Sequence, residues 1–188
     1  MVNSRDSLKR WREFFHETLN VNSSIDENII DLIEITTLSI IEERRQNAPI
    51  SIDEVRKALS QMKSRRAPGS DEVTVDILKA GGEPIIRWLF EFFTDVWGNE
   101  QMVKEWNTTT LIKLYKNKGD RKICDNYRGI ALLNTTSKIF SRIILNRIQN
   151  LIDCQLLEIQ FGFRSNRSTI DQIFTLKMSM EKIMKDNN

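Results

Sequence analysis

Hydrophobic positions in this chain recur mostly at helical spacing, and polar breaks divide them into segments. Leu8, Trp11, Phe14, Phe15 and Leu19 make one apolar stripe over residues 4–20. After a polar break at 20–24, Ile29, Leu32, Ile33, Thr36 and Ile40 predict a second helix over residues 25–45, ended by Asn47-Ala48-Pro49. Ser51-Ile52-Asp53-Glu54 has the form of a capping box, in which serine and glutamate satisfy backbone N–H groups reciprocally. The helix it starts presents Ile52, Val55, Leu59 and Met62 to a core, and Lys63-Ser64-Arg65-Arg66 falls at its C-terminal end, where the helix dipole favours cations. Ala67-Pro68-Gly69-Ser70-Asp71 must turn. A short helix over 75–79 follows, and Pro84 opens another at the first helical position. With Ile85, Ile86, Trp88, Leu89, Phe92, Phe93, Val96 and Trp97, that helix is the most hydrophobic of the chain and belongs at the centre of the core.

The pattern then changes. Residues 108–115 are β-branched and apolar and predict a strand, with a second around 127–132. Between them, Lys116-Asn117-Lys118-Gly119-Asp120 predicts a tight basic loop. From Lys138 the helical spacing returns with Ile139, Phe140, Ile143, Ile144, Ile148 and Leu151. Gln160-Phe161-Gly162-Phe163-Arg164 predicts a short extended segment, and Ser168 caps a last helix carrying Ile170, Ile173, Phe174, Leu176, Met178 and Met180.

Charge redirects attention to the middle of the chain. The formal net charge is only +2. Residues 104–147, however, hold ten Lys and Arg against three Asp and Glu, a net of +7 that the acidic N-terminal half conceals. Segregation of this kind points to a polyanion, although a solvated basic surface produces the same count. A loop with Lys116 at its start and Arg128 at its close can wrap a polyphosphate from two sides, one offering a point charge and the other a bidentate fork.

Of 188 residues, 40% are hydrophobic and 29% charged, which suits a soluble chain with a core of its own. No apolar run approaches the ~20 residues of a membrane span. Cys124, Cys154 and His16 cannot assemble a zinc cluster at the usual spacings, and free thiols in an intracellular setting, nuclear or cytoplasmic, are the expectation. Phosphate-binding glycine motifs are absent.

Four blocks in order resemble the N-terminal part of the reverse transcriptase of non-LTR (LINE-type) retrotransposons. They are Val55-Arg56-Lys57-Ala58-Leu59 with Lys63, Ala67-Pro68-Gly69-Ser70-Asp71 and Ile77-Leu78-Lys79; Trp106 with Leu111-Ile112-Lys113-Leu114-Tyr115-Lys116-Asn117-Lys118-Gly119-Asp120; Asn126-Tyr127-Arg128-Gly129-Ile130-Ala131-Leu132-Leu133 with Ser137-Lys138-Ile139-Phe140; and Gln160-Phe161-Gly162-Phe163-Arg164 with Arg167-Ser168-Thr169. Trp11-Arg12-Glu13-Phe14-Phe15 resembles the connector that precedes the polymerase in that family. The resemblance implies an α+β, mostly helical fold, the fingers and palm edge of a right-hand polymerase with the palm catalytic sheet largely missing. It divides the chain into a helical connector (1–50), a helical N-terminal extension (51–106), and fingers with the start of the palm (107–188).

It also implies roles. Lys116 and Arg128 match residues expected to touch the triphosphate of the incoming nucleotide. Lys63, Arg65 and Arg66, Lys113 and Lys118, and Gly162, Phe163 and Arg164 match segments expected to meet template or primer. Partners would be an RNA template, a DNA primer and a deoxynucleoside triphosphate, with no membrane. Three positions depart from the family pattern: Lys113 where proline is usual, Glu72 where glycine is common, and Asp76 in place of glutamate.

The family transfers nucleotides with two divalent metal ions held by aspartates, magnesium in the full-length enzyme. No Asp-Asp pair occurs in this sequence, so the chain alone is expected to bind no metal cofactor and to be inactive. Three readings follow: a partial RNA-directed DNA polymerase domain, a retroelement-derived nucleic-acid-binding or interaction protein without enzymatic activity, and a helical scaffold with no ligand. Without a palm sheet, the helices carrying Trp88–Trp97 or Ile139–Leu151 are expected to leave apolar surface exposed.

Overall fold

A computed structural model describes residues 4–21, 37–164 and 166–186. The chain forms two compact units, 1–143 and 144–188. It is mostly helical with one two-stranded sheet.

In the first unit, α1 (Ser4–Leu19) carries the first stripe. The predicted helix over 25–45 falls largely outside the described residues, and its described end is not continuous. Residues 37–39 are non-helical, and α2 (Ile40–Gln46) begins only after Ser39, whose side chain accepts from the Glu42 N–H. A serine with extended backbone satisfies an orphan donor at this point, so capping overrides the apolar periodicity. The capping box starts α3 (Ile52–Gln61) as expected, with Ser51 and Glu54 each accepting from the other's N–H. The buried positions are Val55, Ala58 and Leu59.

The helix ends at Gln61, so Lys63-Ser64-Arg65-Arg66 lies beyond it in a loop, not on its last turn. The carbonyls at that end are instead met by Lys79, whose Nζ donates to Met62 O at 2.6 Å and Ser60 O at 3.4 Å. Lys79 belongs to α4 (Val75–Ala80), which Thr74 caps by accepting from Ile77 N–H. The apolar helix α5 (Gly82–Asn99) starts two residues before Pro84. Proline there still loses nothing, because the first four N–H groups of a helix have no partner within it.

α3, α4 and α5 pack on one another, and Leu89, Phe93 and Val96 are the buried face of α5. Phe93 meets Phe140 at 5.5 Å between ring centroids, and Trp106 meets the same ring at 5.4 Å. Trp106 sits in a single 3₁₀ turn (Lys104–Asn107), and its indole N–H donates to Thr136 Oγ1 at 3.1 Å. The hairpin follows: β1 (Thr110–Tyr115) pairs antiparallel with β2 (Tyr127–Leu132), Leu114 opposite Arg128 and Lys113 opposite Gly129. α6 (Thr135–Gln155) starts three residues earlier than Lys138 and contributes Ile139, Phe140 and Ile143 to the core.

In the second unit, the segment 160–164 forms no strand, and a turn at residues 162 and 163 interrupts it. Phe163 is left-handed, with φ +62°. Ser168 accepts from the Ile170 N–H and caps α7 (Thr169–Asp186). The expected exposed apolar surface is present at Trp88, Leu145 and Ile152, but the longest run lies elsewhere: Ile170, Ile173, Phe174, Leu176, Met178, Met180, Ile183 and Met184 of α7 are all exposed.

Candidate nucleic-acid interface

The hairpin loop is tightly organised. Gly119 has φ +77°, which glycine tolerates and other residues resist. Tyr115 Oη donates to Gly119 O at 2.5 Å, Asn126 Nδ2 to Asp120 O at 2.8 Å, and Tyr127 Oη to Arg121 O at 3.0 Å. Several cations take part in this order. Lys116 Nζ donates to Asp125 O at 2.7 Å, and Arg121 lies over the Tyr115 ring at 5.2 Å. Arg128 is exposed beside Leu114 and Ile130, Lys118 is exposed near the loop tip, and Lys113 points to the other face, with its Nζ 4.5 Å over the Trp11 ring. Lys116 and Arg128 therefore close the same end of the hairpin, but Lys116 is already engaged with the loop's own backbone.

A second basic site is built by folding. The loop after α3 docks on the start of α6. Ser70 Oγ bonds Asn134 Oδ1 at 3.3 Å, Thr135 Oγ1 donates to Val73 O at 2.5 Å, and Lys138 Nζ reaches Ala67 O at 3.5 Å. Asn134 is buried and its Nδ2 also donates to Glu105 O at 3.3 Å. The approach is close because residue 69 is glycine; a Cβ there would lie 2.6 Å from the Asn134 backbone nitrogen. Between loop and helix lies a groove of about 420 Å³ walled by Met62, Val75, Leu132 and Thr135, with Lys63, Arg66, Lys138 and Arg142 around it. No Asp or Glu is among the described residues lining it. Four cations with no carboxylate between them repel one another, and an anion relieves that repulsion. Lys63 and Arg66 are sequence-predicted members of this site. Lys138 and Arg142 are not, although their i, i+4 spacing on one helix face is the signal that finds them. Arg65 is exposed beside it in a left-handed conformation, φ +58°.

The second unit places its predicted residues differently. Arg164 has a side chain only 10% exposed, and its guanidinium donates to the carbonyls of Asp153 and Leu157, both at 3.1 Å, and approaches Gln160 O. It ties the end of α6 to the turn that follows. Phe163 is fully exposed and Gly162 half-buried beside it.

The most informative comparison is with curated proteins. The chain is 28% identical over 130 residues to a probable RNA-directed DNA polymerase from transposon BS of Drosophila melanogaster. It is 30% identical over 133 residues to a putative 115 kDa protein in the type-1 retrotransposable element R1DM of the same fly. Over 166 residues it is 28% identical to a retrovirus-related Pol polyprotein from type-1 retrotransposable element R1 of Bradysia coprophila. These matches cover 68%, 70% and 86% of this chain. The chain is related in sequence to the RNA-directed DNA polymerases of non-LTR retrotransposons. It spans only 13–16% of the length of these three relatives. No protein-family profile matches it.

Within this retrotransposon polymerase relationship, the three departures have physical settings. Glu72 has φ +57°, a region where glycine costs nothing. Asp76 accepts the Arg65 N–H at 2.9 Å; that bond, then one from the Ser64 side chain, hold its carboxyl below the usual range. Lys113 rests on Trp11. Among the described residues no three His, Cys, Asp or Glu gather closely enough to share a metal ion. The described donor set therefore does not fit a divalent metal pair. No described helix is long and apolar enough to cross a membrane.

Proposed function

We propose that this chain is the template- and nucleotide-phosphate-binding portion of a LINE-type RNA-directed DNA polymerase, the fingers and palm edge of a right-hand fold, acting inside the cell. The observation that carries the reading is the groove with Lys63, Arg66, Lys138 and Arg142 and no lining acid. It suits the sugar-phosphate backbone of an RNA template or a DNA primer, because phosphate contacts position a strand without reading its sequence. Lys116 and Arg128, at one end of the hairpin, are assigned to the triphosphate of an incoming deoxynucleotide. Relationship to RNA-directed DNA polymerases supports both assignments. The metal-binding aspartates are assigned to parts of the polymerase outside this chain, which by itself binds strands and does not extend them. Lys113 and Lys118 are assigned to backbone contacts at the hairpin, and the turn of Gly162, Phe163 and Arg164 to the neighbourhood of the template, with Phe163 as its contacting group.

Salt titration of single-stranded RNA binding by fluorescence anisotropy tests the groove. Each phosphate contact on a single strand contributes about 0.7 to the slope of log affinity against log salt, so Lys63→Ala with Arg142→Ala lowers it by up to about 1.4. Lys9→Ala with Arg10→Ala leaves the slope unchanged. Equal slopes for the two double variants would overturn the assignment. Primer extension by the isolated chain above background, lost in Arg128→Ala, would overturn the reading that it only binds.

A further inference from the structure

We infer that a third site, between α1 and β1, takes an unpaired nucleobase together with its adjoining phosphate. This rests on the nucleic-acid reading above and shares Lys113 with it, while its other residues are new. α1 lies across the face of the hairpin that carries Leu111, Lys113 and Tyr127. Trp11 meets Tyr127 edge-on at 4.8 Å and stacks with Phe15 at 5.8 Å. Beside this contact is an open pocket of about 520 Å³ lined by Leu8, Trp11, Arg12, Phe15, Leu111, Ile112 and Lys113. Its floor is apolar and aromatic, its only charged lining residues are the cations Arg12 and Lys113, and no acid lines it among the described residues.

An apolar pocket in a water-soluble surface is ordinarily closed by its neighbours, yet Leu8 is 68% exposed here and Leu111 and Ile112 are also open. The ligand that fits must bring a flat or apolar body and a negative charge within a few ångströms of each other. A nucleotide in a single strand does both: the base can lie on Phe15 and Leu8 while its phosphate meets Arg12, with Lys113 reaching it by leaving the Trp11 ring. Bases stack on aromatic side chains with little preference for sequence, because every base has a π face. The pocket so assigned differs from the Lys63–Arg142 groove in its aromatic lining, Trp11 and Phe15; the groove has apolar walls but no aromatic ring, and four cations against two.

The experiment compares two probes on the full chain, a short oligo(dT) and an abasic oligomer of the same length and phosphate count. Wild-type protein binds the base-bearing probe about tenfold more tightly, a factor within the range of one base stacked on an aromatic ring. Phe15→Leu keeps apolar volume against the hairpin but removes the ring, and brings that ratio close to one without changing affinity for the abasic probe. Leu8→Ser, at a position too exposed to matter for folding, lowers the ratio in the same direction. Lys63→Ala with Arg142→Ala weakens both probes equally and leaves the ratio intact. A wild-type ratio of one overturns the base pocket while leaving the groove standing. A ratio that survives both Phe15→Leu and Leu8→Ser places base stacking elsewhere and also overturns it. Displacement of the base-dependent part of binding by an acidic leucine-rich peptide of equal affinity would reassign the pocket to a protein partner. Absence of binding to either probe at low salt would remove this site and the groove together.

Discussion

The two basic regions of this molecule resemble each other in composition and differ in what their charges face. In the hairpin, Lys116 donates to a backbone carbonyl, Arg121 lies on Tyr115 and Lys113 lies on Trp11. In the groove, Lys63, Arg66, Lys138 and Arg142 converge from segments about seventy residues apart with no acid among the lining residues. A cation already held by an oxygen or a ring gains less from a new phosphate, because it must give up that partner. In the groove only Lys138 is shown with such a partner, Ala67 O at 3.5 Å; Lys63, Arg66 and Arg142, lining one groove with no acid beside them, gain more, because the phosphate also relieves their repulsion. The difference teaches that local charge density finds basic segments, while unopposed charge is a property of the folded surface.

The groove can be taken apart without touching a charge. Gly69→Ala would place a methyl group 2.6 Å from the Asn134 backbone nitrogen and 2.7 Å from its Cα, and backbone cannot move aside. We expect a loss of about 3 kcal/mol of stability, read from the midpoint of urea unfolding, and a salt slope for RNA reduced at least as far as in Lys63→Ala with Arg142→Ala. A Gly69→Ala protein with wild-type slope would mean that the loop's docking on α6 does not make the site.

The hairpin breaks in a different manner. Gly119→Ala must hold φ +77° with a side chain and crowds the Asn126 side chain at 2.5 Å. That costs about 2 kcal/mol, less than in the groove because a side chain can rotate away. The tip loosens while Lys63, Arg66, Lys138 and Arg142 stay in place, so the RNA salt slope is expected to change little. A slope falling as far as in Gly69→Ala would make the hairpin, not the groove, the principal phosphate site.

How much of this was legible beforehand follows from the physics of each element. The capping box at Ser51 and the cap at Ser168 are local, so four adjacent residues suffice to read them. The β-branched and apolar run at 108–115 is local as well. The break at 37–39 is not legible in the pattern, because a single serine cap outweighs apolar spacing that continues through it. Lys79's role at the end of α3 is not legible in the sequence, because it crosses from one helix to another. The same reason hides half of the groove: Lys138 and Arg142 belong to the +7 segment, and nothing local in the sequence joins them to Lys63 and Arg66. Arg147, counted in the same segment, is 5% exposed. Arg164 reads as a surface cation until the turn around it is folded and its guanidinium meets three carbonyls.

A finer test compares the cations directly. Lys116→Ala with Arg128→Ala is expected to lower the RNA salt slope by about 0.7, one contact's worth, against up to about 1.4 for Lys63→Ala with Arg142→Ala. The shortfall comes from Lys116, whose ammonium serves Asp125 O. Equal reductions for the two pairs would mean that Lys116 leaves its carbonyl to meet phosphate, and the contrast between hairpin and groove would lose its basis.

The smallest effect concerns the tether of the groove's loop. The Asp76 carboxylate accepts the Arg65 N–H, and this bond, with the Ser64 side chain next and Lys79 adding attraction, holds its pKa below the usual range. A carboxyl whose folded pKa is lowered binds its proton more weakly when folded, so its contribution is complete above the ordinary aspartate range. It is lost as pH falls from there through the folded pKa. Asp76 is exposed, so the effect on global stability is slight. The sharper reading is site-specific: the Asp76 carboxyl carbon, followed by NMR, should titrate below the ordinary aspartate range. The stability difference between wild type and Asp76→Asn should stay constant from neutral pH down to that ordinary range and shrink below it. Because Arg65 lies between Lys63 and Arg66, Asp76→Asn should also weaken RNA binding slightly at neutral pH, where the groove's cations are unchanged. An Asp76 that titrates in the ordinary aspartate range would mean the Arg65 N–H is not held in solution, and the groove's edge would then be set by the contacts of Asn134, Thr135 and Lys138 with the loop.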